Sequence, residues 1–518
     1  MKSMEKKSQI KAGAILSYVN LALGSLLPFL YTPLLLDLLG QTEYGLYSLS
    51  TSIIAYLSLL NFGLGSTIVR YITQYRIEGQ KEKEEATIGH FLYLYAILAG
   101  AAIMIGAFLS FGADIFFSKG LSGQEIDKLR ILLVILSCNM AITFVVSVFS
   151  SVIISHEEYI FRRLLDLFIT VATPAFNLVA LYMGFASIAL ACVTTMIQIT
   201  LMPVYYLYCR RHIGLNIYLK RPSKVFLQEI WKFSAFIFIG SLVDMFFWAT
   251  DKVLLGSLVG TAVVAVYNIG ALFNDMIQQL STAISGVLIP RITGMVVQGA
   301  SKEELSELFI RIGRIQFMII GLVVSGFVSF GRYFIQLWVG DSYRDAYAIA
   351  LLTMIPLVIP LIQNVGFNII IAQKKHGFRA MVYLVIAIVN AVSTYFVIPY
   401  LGGIGAAICS CVAYVVGQGI IMNGYYWKVT GIDIPLFWRQ IGKMAIVPAL
   451  LSAGTLWIGN YVNYYNRVLL FVGIIIFSVL YGLAMYLIMM NSYEKDLIIA
   501  PLMKLIKRNG SRNDSDSE

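Results

Sequence analysis

The uncharged runs in this chain are long, and that length constrains its fold more than any other feature. Val468–Met490 contains no Asp, Glu, Lys or Arg, and at about 1.5 Å per residue it is long enough to cross a hydrocarbon core about 30 Å thick. Membrane strands alternate apolar and polar positions over about ten residues, so unbroken runs of this kind exclude a β-barrel. Charged residues make up only 13% of the 518, against about a quarter in soluble domains. Such a surface belongs in lipid. The sequence therefore predicts an all-α integral membrane protein.

Apolar stretches of spanning length fall at 12–37, 45–68, 88–112, 129–153, 165–183, 186–207, 233–255, 261–289, 315–336, 346–371, 380–399, 401–426, 444–463 and 468–490, which gives about fourteen transmembrane helices. Placing the N-terminus inside puts 31 of the 38 Lys and Arg residues on the inner side. This asymmetry predicts a multi-pass protein of the plasma (inner) membrane with both termini cytoplasmic. The remaining seven (Lys119, Lys128, Arg130, Lys252, Arg332, Arg344 and Arg467) fall outside or near the outer edge. The basic N-terminus runs into a full-length apolar stretch with no cleavage signature, so the first span is read as uncleaved. The tail Lys504–Glu518 is polar and rich in Ser and Asp, and reads as disordered. A net charge of +10, scattered over many loops, is the topology signal and calls for no nucleic-acid partner.

The chain also repeats. A shift of 220 residues pairs Gly40 with Gly260, Tyr47 with Tyr267, and Ile72-Thr73 with Ile292-Thr293. A shift of 218 pairs Gly184 with Gly402. Helices 1–6 and 7–12 thus read as two parallel six-helix bundles (1–225 and 226–430), followed by two additional helices (431–492) and a cytoplasmic tail (493–518).

No GxxxxGK[ST], no HExxH and no GxSxG pattern occurs, so P-loop hydrolysis and the commoner hydrolase chemistries find no support. The five cysteines form no CxxC pair, and the four histidines lack ligand spacing. No metal, cofactor or catalytic residue is expected, and the chain reads as a non-enzyme. The largest outer loop, about 113–128, carries Asp114, Glu125 and Asp127 without convergence on a site.

Intramembrane polar residues are costly and mark function. Asp244 lies about 18 Å from Lys232 along helix 7, near mid-depth, and Asn274 and Asp275 reach a similar depth on helix 8. Asp251 and Lys252 stand near the outer end of helix 7. Asp244, Asp275, Asn274, Asp251 and Lys252 are therefore the candidate cavity and ion-coupling residues. Gln278, Gln279, Asn177 and Asn390 suit interhelical hydrogen bonds, and Asp166 suits an ion pair with Arg162 one turn away. Lys11, Arg70, Arg76, Lys232 and Arg291 end helices 1, 2, 7 and 8 on the inner side. If those helices line one cavity, its mouth is cationic and attracts a diphosphate.

Several segments resemble the polysaccharide-biosynthesis flippases of the multidrug/oligosaccharidyl-lipid/polysaccharide exporter superfamily: Asn61-Phe-Gly-Leu-Gly-Ser-Thr-Ile-Val-Arg70, Thr250-Asp-Lys-Val-Leu-Leu-Gly256 with Tyr267, Pro290, Ala372-Gln-Lys-Lys375 with Asn390 and Pro399, and Gly402-Gly-Ile-Gly-Ala-Ala407. The resemblance implies a MATE-like fold with a central cavity lined by helices 1, 2, 7 and 8, and ion-coupled alternating access. It implies a polyprenyl-diphosphate-linked oligosaccharide as cargo for O-antigen, capsule or exopolysaccharide, with a polymerase and a ligase acting alongside. Relatives handling such cargo are expected to hold cations inside the cavity, whereas helices 7 and 8 here offer acidic and amide residues at mid-depth. A multidrug exporter of the same fold and a peptidoglycan lipid II flippase are the nearest alternatives. A membrane glycan polymerase or ligase is a third, from a different class.

Overall fold

The computed structural model describes residues 2–216, 218–286, 288–373 and 375–497. The side chains of residues 2–11, of a few single positions and of several between 225 and 248 lie outside that description. Lys11, Lys232 and Asp244 are among them. The described residues form helices and their connections, without strands.

In chain order the helices are α1 (Lys2–Leu39), α2 (Gln41–Ala55), α3 (Leu64–Ile77), α4 (Lys81–Phe111), α5 (Ala113–Phe117), α6 (Gly123–Ser155), α7 (Tyr159–Tyr182), α8 (Ser187–Leu207), α9 (Lys224–Trp248) and α10 (Thr250–Leu258). They continue as α11 (Thr261–Gly286), α12 (Ile289–Val297), α13 (Lys302–Val339), α14 (Asp345–Ile362), α15 (Asn364–Ala372), α16 (His376–Tyr414), α17 (Asn423–Tyr425), α18 (Ile434–Ile458) and α19 (Arg467–Ala484). Eleven helical runs among the described residues are long and apolar enough to cross a bilayer, or twelve if the bent pair α11–α12 is one span. The protein is a multi-pass membrane protein.

Breaks inside the apolar runs follow local sequence. One run, Gly377–Thr430, is 54 residues long; as a single straight helix it would reach about 80 Å, far more than a bilayer needs. It bends at Gly402, whose φ of 53° and ψ of −136° suit only a residue without a side chain. Between α14 and α15 the helix breaks at Gln363, three residues after Pro360. Proline removes one ladder hydrogen bond and crowds the preceding turn. The segment expected as the loop 113–128 is instead mostly helical. Ser122 and Glu125 form a capping box that starts α6 at Gly123, well before the apolar run at 129.

Packing groups the described chain into two compact units. The first comprises residues up to Leu272 together with Arg379–Ala413, and the second comprises Phe273–Phe378 with Tyr414 onward. In the first, α6 is the hub, packed by α2, α3, α4 and α8. Small residues allow the closest crossing. A methyl group at Gly106 of α4 would sit 1.7 Å from the Ser137 hydroxyl of α6, so only glycine admits that approach. The second unit is built on α13, flanked by α14, α18 and α19. Arg314 on α13, which is 9% exposed, donates from Nε and Nη2 to the two carboxylate oxygens of Glu494 at 2.6 and 2.8 Å. It also donates to the Met489 carbonyl at 2.8 Å and to Gln440 of α18 at 3.3 Å. One side chain thus ties α13, α18 and the segment after α19.

Candidate functional site

Within the first unit, a polar seam closes one end of the bundle, the end the charge distribution predicts to be outside. The α1–α2 turn and the α5–α6 corner meet the hairpin between α10 and α11. Gln41 donates its side-chain amide to the Ala262 carbonyl at 3.2 Å, and the Thr261 hydroxyl donates to Glu125 at 2.6 Å. Glu43 pairs with Lys128 and accepts from the Ser187 hydroxyl at 2.5 Å. Backbones touch along the same line. A methyl at Gly45 would lie 1.9 Å from the Thr261 carbonyl oxygen, and one at Gly120 would lie 2.3 Å from that of Gly256. No side chain fits at either position.

Asp251 sits just below this seam. It is 1% exposed, on the first turn of α10. The Tyr267 hydroxyl donates to its Oδ2 at 2.5 Å, and the Ser410 hydroxyl donates to the same oxygen at 2.9 Å. Asn390 in turn donates to Ser410 Oγ at 3.2 Å across the Gly402 bend. Asp251 Oδ1 is buried without a hydrogen-bond partner among the described residues, and so are Asn390 Oδ1 and Thr394 Oγ1. A buried carboxylate oxygen left unpaired is expensive, so Asp251 Oδ1 is a position where a proton would be stabilising. Lys252, about 100° round the helix, turns elsewhere: it donates to Asn268 Oδ1 at 2.7 Å, and Asn268 donates to the Tyr44 hydroxyl at 2.7 Å. The Tyr56 and Thr250 hydroxyls lie 2.5 Å apart on the other flank.

The remaining sequence candidates take several positions. Asn274 is buried and donates to Thr353 at 2.8 Å, whereas the next residue, Asp275, is exposed. Arg70 on α3 and Arg291 on α12 are exposed. Arg76 is engaged by Glu157 at 2.9 Å. Arg162 meets Asp166 at 3.1 Å, as the spacing predicts. Among the described candidates, Asp251 and Lys252 each enter a hydrogen-bond network, and the two networks are separate. Sequence reading missed their partners Tyr44, Asn268 and Ser410, and the seam residues Glu43, Glu125 and Lys128. The available signal was Ser122-x-x-Glu125 as a helix start; nothing local marks the others.

Comparison with known proteins fits this architecture. Residues 10–296, more than half of the chain, match the family described as "Polysaccharide biosynthesis protein". A Shigella flexneri protein named as a candidate O-antigen transporter is 19% identical over 71% of this chain and 86% of its own. The uncharacterised membrane protein EpsK of Bacillus subtilis (strain 168) is 19% identical over 79% and 81%. Among solved structures, the lipid II flippase MurJ in an inward closed conformation superposes with a TM-score of 0.72 at 13% identity, covering 94% of this chain and 99% of that one. An inward-facing multidrug-resistance MATE transporter superposes at 0.60 with 17% identity, over 84% and 99%. These structural likenesses fix the fold as MurJ- and MATE-like. With its membrane-spanning helices, this chain belongs to the polysaccharide biosynthesis protein family.

Proposed function

We propose that the protein flips polyprenyl-diphosphate-linked oligosaccharide units across the plasma membrane for surface polysaccharide assembly, by ion-coupled alternating access. The observation that carries the reading is that the family match, 10–296, spans nearly all of the seam, and that the seam is made of hydrogen bonds and glycine approaches. A hydrogen bond of this kind contributes only about 0.5–1.5 kcal/mol net, so such contacts can part and re-form. Fourteen spans, in two parallel six-helix repeats plus two further helices, suit this cycle. The repeat finds support in backbone shape: the paired glycines Gly40 and Gly260 have φ of 78° and 125°, and Gly184 and Gly402 have 85° and 53°.

In this reading the diphosphate enters from the cytoplasmic side, with Lys11, Arg70, Arg76, Lys232 and Arg291 as its candidate basic contacts. Asp244, Asn274 and Asp275 are candidate cavity and ion-coupling residues in this reading, and the prenyl tail stays in lipid. Asp251 takes up the coupling ion on Oδ1. Its ligand shell spans α10, α11 and both arms of α16, so occupancy and seam geometry are linked.

Mass spectrometry of polyprenyl-linked lipids from cells depleted of the protein tests the proposal. Accumulation of a complete diphosphate-linked repeat unit with loss of surface polymer is expected. An unchanged lipid pool with normal polymer would overturn it. Accumulation of the peptidoglycan precursor with cell lysis would instead favour the lipid II reading that the MurJ likeness raises.

A further inference from the structure

A second site lies in the first unit, beside the Gly120–Gly256 contact of the seam. A cavity of about 490 Å³ opens between the end of α2, the α4–α5 corner and α10. Its walls are mostly apolar, with Ile53, Phe116, Leu254 and Leu258 among them, and Lys119 is the charged residue of its lining. A cavity of about 150 Å³ takes one benzene, so this one takes roughly twenty carbons, the size of one acyl chain. A long prenyl chain exceeds it several-fold.

Charge complementarity says what sits at its mouth. Lys119 is exposed in the turn between α5 and α6, at the boundary between the apolar span and water. Every acidic group in its stretch of chain is already engaged. Asp114 and Asp127 pair with Arg130. Glu125 is taken by Ser122 and Thr261, and Glu43 by Lys128 and Ser187. Lys119 itself has no ion pair among the described residues. An ammonium group beside an acyl-sized slot fits a phosphate headgroup.

We propose that this cavity is a binding site for an anionic glycerophospholipid of the surrounding bilayer, one acyl chain in the slot and the phosphate on Lys119. The lipid would pack against α10, the nine-residue helix that carries Asp251 at its start and the Gly256 backbone contact near its end. It would thereby hold α10 in the position that closes the seam.

The test uses the purified full-length protein and native mass spectrometry of retained lipid, with phosphatidylglycerol and phosphatidylcholine of identical chains as probes, and polyprenyl phosphate as competitor. The wild type should retain phosphatidylglycerol preferentially. Lys119→Gln should lower that preference about five-fold, the weight of one lysine near an anionic surface. Ser257→Phe, which fills the slot, should lower retention of both phospholipids, with melting of the lipid-free protein unchanged as the folding control. Equal retention of the two phospholipids by the wild type overturns the proposal, as does an unaltered preference in Lys119→Gln. Displacement of phosphatidylglycerol by equimolar polyprenyl phosphate would also overturn it, and would assign the slot to the transported lipid. Should Ser257→Phe fail to fold, Lys119→Gln decides alone.

Discussion

Asp251 and Lys252 adjoin in sequence, yet the helix turns them about 100° apart, and they enter different hydrogen-bond networks. The carboxylate goes to Tyr267 and Ser410, and the ammonium goes to Asn268. An asparagine at position 251 keeps the shape and could still accept from Tyr267, but it removes the charge and the protonatable oxygen. Hydrogen bonds to charged groups contribute about 1.5–3 kcal/mol, so Asp251→Asn is expected to slow gradient-driven flipping about ten-fold or more. In proteoliposomes the variant should show little stimulation by an imposed proton or sodium gradient, with normal protein level and fold. Full stimulation would remove Asp251 from coupling. The chain itself flagged this residue as a charge in an apolar run. It did not disclose that Ser410 is its neighbour, because 159 residues separate them and only the Gly402 bend brings them together.

At the scale of elements, the segment after α19 is fastened to α13 by one buried ion pair. Glu494 is 2% exposed and meets Arg314 through both oxygens. Truncating one partner strands the other charge away from water, a loss of about 3–5 kcal/mol. Glu494→Gln should therefore lower the melting temperature of the purified protein substantially. The double variant Arg314→Met/Glu494→Leu should lose much less, since a pair replaced by apolar groups leaves no orphan charge. Equal losses in the single and double variants would contradict this account. Sequence reading placed the helices that these residues connect. The pairing itself was illegible, because Arg314 looks like any basic residue at the end of a span.

The whole molecule must open the seam if it flips its cargo outward. Gln41 and Ala262 face each other there at 3.2 Å. A Gln41→Cys/Ala262→Cys variant joined by a short bismaleimide is expected to be fully inactive, while each single variant under the same treatment stays active. Those single variants control for the five native cysteines. Transport by the cross-linked double variant would mean that the seam does not part. Membrane residence, helix type and approximate span positions followed from the sequence alone, because apolar length against bilayer thickness admits few other solutions. So did the polar candidates, since a charge in lipid is conspicuous wherever it falls. Which of them meet was decided by tertiary structure. The seam rests on glycines whose backbones touch helices more than a hundred residues away, and Asp251 acquires its shell from three separate stretches of chain. Such partners have no sequence period, and only the folded packing of apolar faces brings them within hydrogen-bond reach.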